Sequence, residues 1–199
     1  MKNNLSAENK KSEILQIATK LFAERGYHAT NLDDVAKKFG VTRAAIYYYY
    51  GSKSKIICEI SNMCIKRMQQ VIDMSKSDLS PLEKLKKFIE FHVNLSAQYK
   101  NEAQVFFSQA SAFPKRTRNV IRRYEKEEEA ALQRILKEGV EQGYFTVDDY
   151  RMTSFAILGI CNWCHQWYKP TGELTVKQIS EHFETLIERA LLLTKSSST

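Results

Sequence analysis

TNLDDVAKKFGVTRAAIYYYY, residues 30–50, is the stretch whose spacing decides the fold. It divides at Gly40 into two short helical segments. Thr30 stands where a helix N-cap is wanted, and Asp33 and Asp34 fall in the first turn, where negative charge suits the helix dipole. Thr42 is placed to cap the second segment, Arg43 to about Tyr50. Two helices can cross closely only over a small side chain, and Ala36 supplies one. Gly40, four residues later, suits the left-handed conformation of a tight turn. Ile46, six further on, plugs the pair, and Val35, Phe39 and Val41 close a small apolar core. Together these spacings specify a helix-turn-helix, where composition alone would allow an ordinary helical hairpin.

The second helix of such a motif lies in the DNA major groove and presents its N-terminal residues to base edges. Thr42, Arg43, Ala44, Ala45, Tyr47, Tyr48 and Tyr49 are the candidates to meet DNA there. Arg43 can grip guanine with two hydrogen bonds. Ala44 and Ala45 permit close approach, and tyrosine hydroxyls bond phosphates. Four consecutive tyrosines cannot share one face of a helix. Tyr50 is expected in the core beside Ile46 and Val35, leaving Tyr47, Tyr48 and Tyr49 to fan across the outer side. A wholly buried cluster would need too many hydroxyl partners. Lys53 and Lys55 open the next helix, at an end suited to phosphate.

Upstream, Ile14, Leu15, Ala18, Leu21 and Phe22 form a helical stripe over Glu8 to Arg25, and Gly26 ends it. From Ile14 to Ile57 the chain resembles the TetR family of bacterial repressors. The resemblance rests on Ala18, Leu21, Phe22, Gly26, Tyr27, Thr30, Val35, Ala36, Gly40, Val41, Thr42, Ile46, Tyr47, Tyr50, Lys53 and Ile57. It implies a two-domain fold of nine or ten helices, a homodimer on a palindromic operator, and a small-molecule inducer bound by the larger domain. It also implies DNA contacts from Thr30, Arg43, Ala45, Tyr47, Tyr48, Tyr49 and Lys53. Two positions depart from the family pattern. Gly51 stands where a charged residue is usual, and Tyr50 replaces phenylalanine, so its hydroxyl needs a partner.

Beyond the motif the expectation is all-α. The 199 residues contain only 7 glycines and 3 prolines, too few for the turns of a sheet protein. Helices are expected over Lys53–Lys76, Pro81–Lys100, Glu102–Ala112, Thr117–Gln142, Asp148–Tyr168 and Val176–Leu193, nine in all, with residues 1–7 and 196–199 outside them. A DNA-binding domain over 1–52 and a ligand-binding and dimerisation domain over 53–199 follow. Of the net charge of +7, residues 1–55 carry +5, from 10 Lys and Arg against 5 Asp and Glu. Such a bias fits a polyanionic partner. No run approaches a membrane span and no secretory signal leads the chain. Four cysteines without a framework fit a reducing cytoplasm.

The segment Asp148–Tyr168 is apolar nearly all round, with Phe155, Ala156, Ile157, Leu158, Ile160, Trp163, Trp167 and Tyr168. Such a helix needs cover on two sides, from its own core and from a second copy. The run from Asn162 to Leu174 resembles the closing segment of TetR-type regulators of fatty-acid and steroid breakdown, which implies an acyl-coenzyme A effector. Phe88, His92, Phe106, Phe107, Phe113, Tyr124, Trp163 and Trp167 are the candidates to line an effector pocket, each with core or interface packing as its plainer role. Lys115, Arg116, Arg118, Arg122 and Arg123 could receive coenzyme A phosphates, or form a solvated face offset by Glu125, Glu127, Glu128 and Glu129. Cys161 and Cys164 with His165 lack a second ligand pair, so they read as structural cysteines and no metal is expected. No phosphate loop, nucleophile elbow or metal pair is present, which argues against an enzyme and against a bound cofactor. The remaining alternative is a constitutively bound or architectural DNA-binding protein.

Overall fold

The computed structural model describes residues 7–192. Expectations for residues 1–6, for Leu193 and for the run 196–199 fall outside the described residues. The elements are α1 (Ala7–Arg25), α2 (Leu32–Phe39), α3 (Arg43–Tyr50), α4 (Lys53–Met74), α5 (Pro81–Gln98), α6 (Lys100–Ser108), a 3₁₀ turn (Ala110–Ala112), α7 (Lys115–Glu141), α8 (Tyr150–Asn162), α9 (Cys164–Trp167) and α10 (Val176–Leu192). Among the described residues there are thus nine helices of eight or more residues, a single four-residue turn of helix, and no strand.

The chain forms two compact units. One holds the residues up to Ile65 together with Asn101–Ile121, and the other holds Lys66–Lys100 with the chain from Arg122 onward. The expected division after Ser52 follows the motif, whereas packing follows contacts distant in sequence. The Gln109 side chain accepts the Tyr27 N–H at 3.1 Å, and Cys58 Sγ lies 3.3 Å from Thr117 Oγ1, so the α6–α7 region belongs with the first unit. Helix α4 runs unbroken from the first unit into the second.

In the first unit α1 packs on α2 and α3 around Ile14, Ala18, Leu21, Phe22, Val35, Ala36 and Ile46, all buried. Gly40 adopts φ 79° and donates its N–H to Ala36, as the motif's turn requires. Gly51 adopts φ 69° at the end of α3, which explains glycine where a charged residue is usual. Tyr50 is buried and its hydroxyl donates to the Lys11 carbonyl at 2.7 Å. Burial, followed by the nearby Glu59 charge, pushes that phenol up to about 12, so it remains a donor throughout the physiological range. Tyr50→Phe is expected to lower unfolding free energy by about 1 kcal/mol, the net worth of one hydrogen bond, with the fold retained. Urea denaturation followed by circular dichroism measures the loss. An unchanged midpoint would mean that the bond contributes nothing.

In the second unit α5 is central, with α8, α9 and α10 packed on it. Leu85, Phe88, Ile89, Val93, Leu132, Ile135, Leu136, Ile157, Cys161 and Ile187 are buried together. The helix expected over Asp148–Tyr168 is instead two pieces. Asp149 caps α8 by accepting the N–H groups of Arg151 and Met152, and α8 ends at Asn162. At Trp163 the ladder tightens, with Gln166 N–H donating to the Trp163 carbonyl three residues back. The break turns Cys164 and His165 inward and leaves Trp163 and Trp167 exposed.

A polar pair lies inside this apolar unit. His92 Nε2 on α5 is 3.5 Å from Glu128 Oε1 on α7, and both side chains are buried. The separation would suit an ion pair, but burial acts against both charges. It lowers the His92 imidazole to about 4, although the Asn162 hydrogen bond acts the other way. It raises the Glu128 carboxyl to about 8, with the neighbouring Glu125 adding to the rise. At pH 7 the pair is therefore a neutral imidazole beside a carboxylic acid. A raised carboxyl stabilises the fold fully below its unfolded value near 4.5, and the contribution fades as pH climbs toward about 8. The lowered His92 acts oppositely, contributing fully above 6.5 and losing its contribution as pH falls toward about 4. Between pH 6.5 and 8 only the Glu128 effect remains. Up to about 2 kcal/mol of stability is expected to disappear across that window, at ~1.4 kcal/mol per pH unit. Glu128→Gln is expected to flatten it. Melting curves at half-unit pH intervals check this, and parallel profiles for the two proteins would refute it.

Candidate nucleic-acid interface

Helix α3 owes its position to its ends and its buried side. Thr42 adopts an extended conformation and its hydroxyl accepts the Ala45 N–H at 3.3 Å, fixing the first turn. Ile46 and Tyr50 face inward, one turn apart. The opposite side presents Arg43, Ala44, Tyr47 and Tyr48, with Ala45 and Tyr49 at its half-buried margin. Tyr48 is 84 % exposed and its ring meets that of Tyr49 edge-on at 5.3 Å. The expected fan of three tyrosines around a buried fourth is therefore present.

Arg43 is held on this face by two side-chain contacts. Its Nη1 lies 2.8 Å from Asp33 Oδ2, and its Nη2 donates to the Tyr47 hydroxyl at 3.2 Å. Asp33 thus does more than favour the dipole of α2, since it aims the arginine that opens α3. A cleft of about 470 Å³ runs beside the tyrosines, bordered by Lys11, Tyr47, Tyr48, Tyr49, Lys55 and Glu59. Lys11 and Lys55 add positive charge to this edge.

Two expected contacts are placed differently. Thr30 is buried and does not cap α2. Its hydroxyl lies 2.9 Å from the Gly26 carbonyl and 3.2 Å from that of Leu21, tying the end of α1 to the turn before α2. Asn31 is the cap. Its side chain accepts the Asp34 N–H at 2.8 Å while the Asp34 carboxylate accepts the Asn31 N–H at 3.1 Å. The Asn-x-x-Asp spacing of this reciprocal box was readable in the sequence. Lys53 is half-buried, with its ammonium 4.1 Å from the centre of the Tyr27 ring. Burial lowers its pKa from the ordinary lysine value. The cation is folded back on α1 and its following turn. Exposed Lys55 is the lysine turned outward.

The eight candidates for an effector pocket divide between the units. Phe106, Phe107 and Phe113 belong to the first unit, where Phe106 and Phe113 are buried with ring centres 6.3 Å apart and Phe107 is exposed. Phe88, His92, Tyr124, Trp163 and Trp167 belong to the second. Phe88 lies against His92 with ring centres 4.6 Å apart, while Trp163 and Trp167 are exposed. In the basic cluster Arg118 donates to the Phe113 carbonyl at 2.6 Å and Arg123 pairs with Glu127 at 3.6 Å. Lys115, Arg116 and Arg122 are exposed. Cys161 and Cys164 are buried and their thiols are raised by burial, Cys164 to about 11, which makes them inert. No group of three metal-ligating side chains occurs among the described residues, and no helix there is long and apolar enough to cross a membrane.

Residues 14–60 match the family model of the bacterial regulatory proteins of the tetR family, and residues 78–191 match that of the tetracyclin repressor-like C-terminal domain. The second match alone covers more than half of the chain. The chain belongs to the TetR family. Membership makes it a transcriptional regulator of two-domain, all-α architecture and answers the enzyme alternative. A curated relative, the HTH-type transcriptional repressor KstR2 of Mycobacterium tuberculosis, is 27% identical over 191 residues, which cover 90% of this chain and 91% of that protein. The structure of KstR2, described as a ketosteroid transcriptional regulator, shares the fold with a TM-score of 0.83 at 22% identity, covering 95% of this chain and 97% of that one. The structure of AibR in complex with isovaleryl coenzyme A and operator DNA shares it with a TM-score of 0.78 at 23% identity, covering 89% and 97%. In this TetR-family chain the motif that carried the resemblance is thus embedded in a fold that agrees with it along nearly the whole length.

Proposed function

We propose that this regulator is a cytoplasmic repressor that acts as a homodimer on a palindromic operator and is released by an acyl-coenzyme A. The carrying observation is the outward face of α3, where a capped helix presents Arg43, Ala44, Tyr47 and Tyr48 while Ile46 and Tyr50 anchor its back. That geometry suits a major groove, with Arg43 reading a guanine and the tyrosines and Lys55 meeting phosphates. Thr42 and Ala45 belong to the same surface through the first turn. Thr30 and Lys53 support the surface from within.

The dimer reading draws on the second unit. Met152, Phe155 and Gly159 recur along the exposed side of α8, with Trp163 just past its end, and Leu186 and Ala190 along that of α10. Met152 and Trp163 are each 62 % exposed. An apolar stripe of this kind on two neighbouring helices suits a second copy of itself about a two-fold axis. Trp163 and Trp167 are then interface residues, the plainer role the sequence allowed them. The effector reading follows the relatives in kind, since AibR is bound to a coenzyme A thioester and KstR2 is a repressor named for ketosteroids. Exposed Arg122, in the second unit, would face the phosphates of such a ligand, and α4, continuous between the units, would carry the change to the recognition helix.

Selection from random duplexes yields the operator, and fluorescence anisotropy then measures affinity with and without acyl-coenzyme A thioesters of increasing chain length. Release by one length class at micromolar concentration supports the reading. Tight binding to a specific palindrome that no thioester alters would leave the dimeric DNA-binder and remove the effector.

A further inference from the structure

In the second unit, Glu128 Oε1 and His92 Nε2 are buried and neither has a hydrogen-bond partner in the protein. They face each other across 3.5 Å, too far for a good hydrogen bond between them. The Phe88 and Phe91 rings lie 4.6 and 5.6 Å from the imidazole, and the neighbouring Glu125 adds its charge on the Glu128 side. Unpaired polar atoms in such a setting are costly and call for an explanation. His92 is also held firmly, because Nδ1 lies 3.0 Å from Asn162 Oδ1 on α8. An amide oxygen accepts, so Nδ1 carries the proton and Nε2 presents a lone pair toward Glu128.

We propose that Glu128 and His92 form the polar anchor of the effector site and recognise a hydroxyl group on an otherwise apolar effector. The inference rests on the reading that the second unit binds an effector. An oxygen about 2.8 Å from each of two atoms 3.5 Å apart closes a simple triangle. Protonated Glu128 donates to that oxygen, and the oxygen's own hydrogen goes to His92 Nε2. Both unpaired atoms are then satisfied. A carbonyl accepts from Glu128 but leaves Nε2 unpaired. A carboxylate or phosphate brings a charge into an apolar core and offers no donor. An ammonium brings a charge and no acceptor. A hydroxyl alone among these is both neutral and able to give and take. The fixed Asn162–His92 bond sets the direction of the exchange.

The experiment uses the full-length protein and two matched pairs. One is octanoyl-coenzyme A against its 3-hydroxy and 8-hydroxy derivatives, and the other is 1-octanol against octyl methyl ether. Isothermal titration reads affinity. Preference for a hydroxylated member by about tenfold is expected in at least one pair. It should fall to near unity in Glu128→Leu and in His92→Phe, which remove the donor and the acceptor in turn. Nitrogen-15 spectra of the wild-type imidazole give a reading that needs no variant, with Nε2 shifting when the hydroxylated ligand binds. If the thioesters bind and neither pair shows a hydroxyl preference, the acyl-coenzyme A reading stands and the anchor falls. If only the alcohol pair binds and shows the preference, the anchor stands and the thioester reading falls. Absence of hydroxyl preference in both pairs, or a preference that survives both substitutions, overturns the anchor.

Discussion

Phe155→Glu is expected to turn the regulator into a folded monomer whose operator affinity is at least ~100-fold weaker than that of the wild type. Phe155 sits mid-way along the exposed stripe of α8, between Met152 and Trp163, and is 44 % exposed in the isolated chain. Its removal therefore costs the protomer's own core little. In an isologous dimer the substitution occurs twice about the axis, setting two carboxylates in an apolar contact that excludes water. A charge so buried without a partner is among the most destabilising changes an interface can suffer. The consequence for DNA follows from geometry. Two recognition helices joined in one body engage two half-sites with an effective concentration that raises affinity by ~10²–10⁴ over one. A monomer keeps only its own contacts. Sedimentation velocity reads the mass, circular dichroism the fold, and anisotropy the affinity. Normal folding with an unchanged dimer mass would mean that the stripe on α8 is not the interface.

The residues that a steric rule fixes were the legible ones. Ala36, Gly40 and Ile46 determine how two helices meet, and the structure places all three as their spacing demands. Tyr50 pointed inward for the same reason, because four consecutive residues on a helix must face four directions. What escaped were choices between near-equivalents. Thr30 and Asn31 are adjacent polar residues, and either could cap α2. Thr30 is drawn inward by two carbonyls at the end of α1, which nothing local in the sequence announces. The break at Trp163 escaped because it contains neither glycine nor proline and is made by a slip in the hydrogen-bond ladder. The Glu128–His92–Asn162 set escaped for a different reason. Its members lie on three helices, with His92 and Asn162 separated by 70 positions, and in the sequence Glu128 is one of four glutamates on a charged face. Periodicity reports which side of a helix is apolar. It does not report which polar residue is enclosed when a neighbouring helix covers that side.

Arg43→Ala is expected to lower affinity for the operator by ~5- to 150-fold, about 1–3 kcal/mol, while binding to unrelated duplex changes far less. The free protein already holds Arg43 in place through Asp33 at 2.8 Å and the Tyr47 hydroxyl at 3.2 Å. That ion pair is more than half exposed on both sides, so it adds little stability and DNA competes with it easily. The guanidinium is thus pre-aimed along the groove face at small cost. Loss of two hydrogen bonds to one guanine accounts for the magnitude and confines it to one base pair. Arg43→Lys separates the two parts of the contribution. A lysine keeps the charge and so keeps most of the attraction to phosphates, but it cannot make the paired contact to one guanine. The salt dependence of Arg43→Lys should therefore follow the wild type, with a slope set by the number of phosphates neutralised, while its selectivity falls toward that of Arg43→Ala. Anisotropy titrations over a range of salt, using the operator and single-base variants, give both quantities. If Arg43→Ala lowers affinity equally for all sequences, with a reduced salt slope and no base position relaxed, Arg43 is a phosphate contact and the reading of bases belongs to the remaining residues of α3.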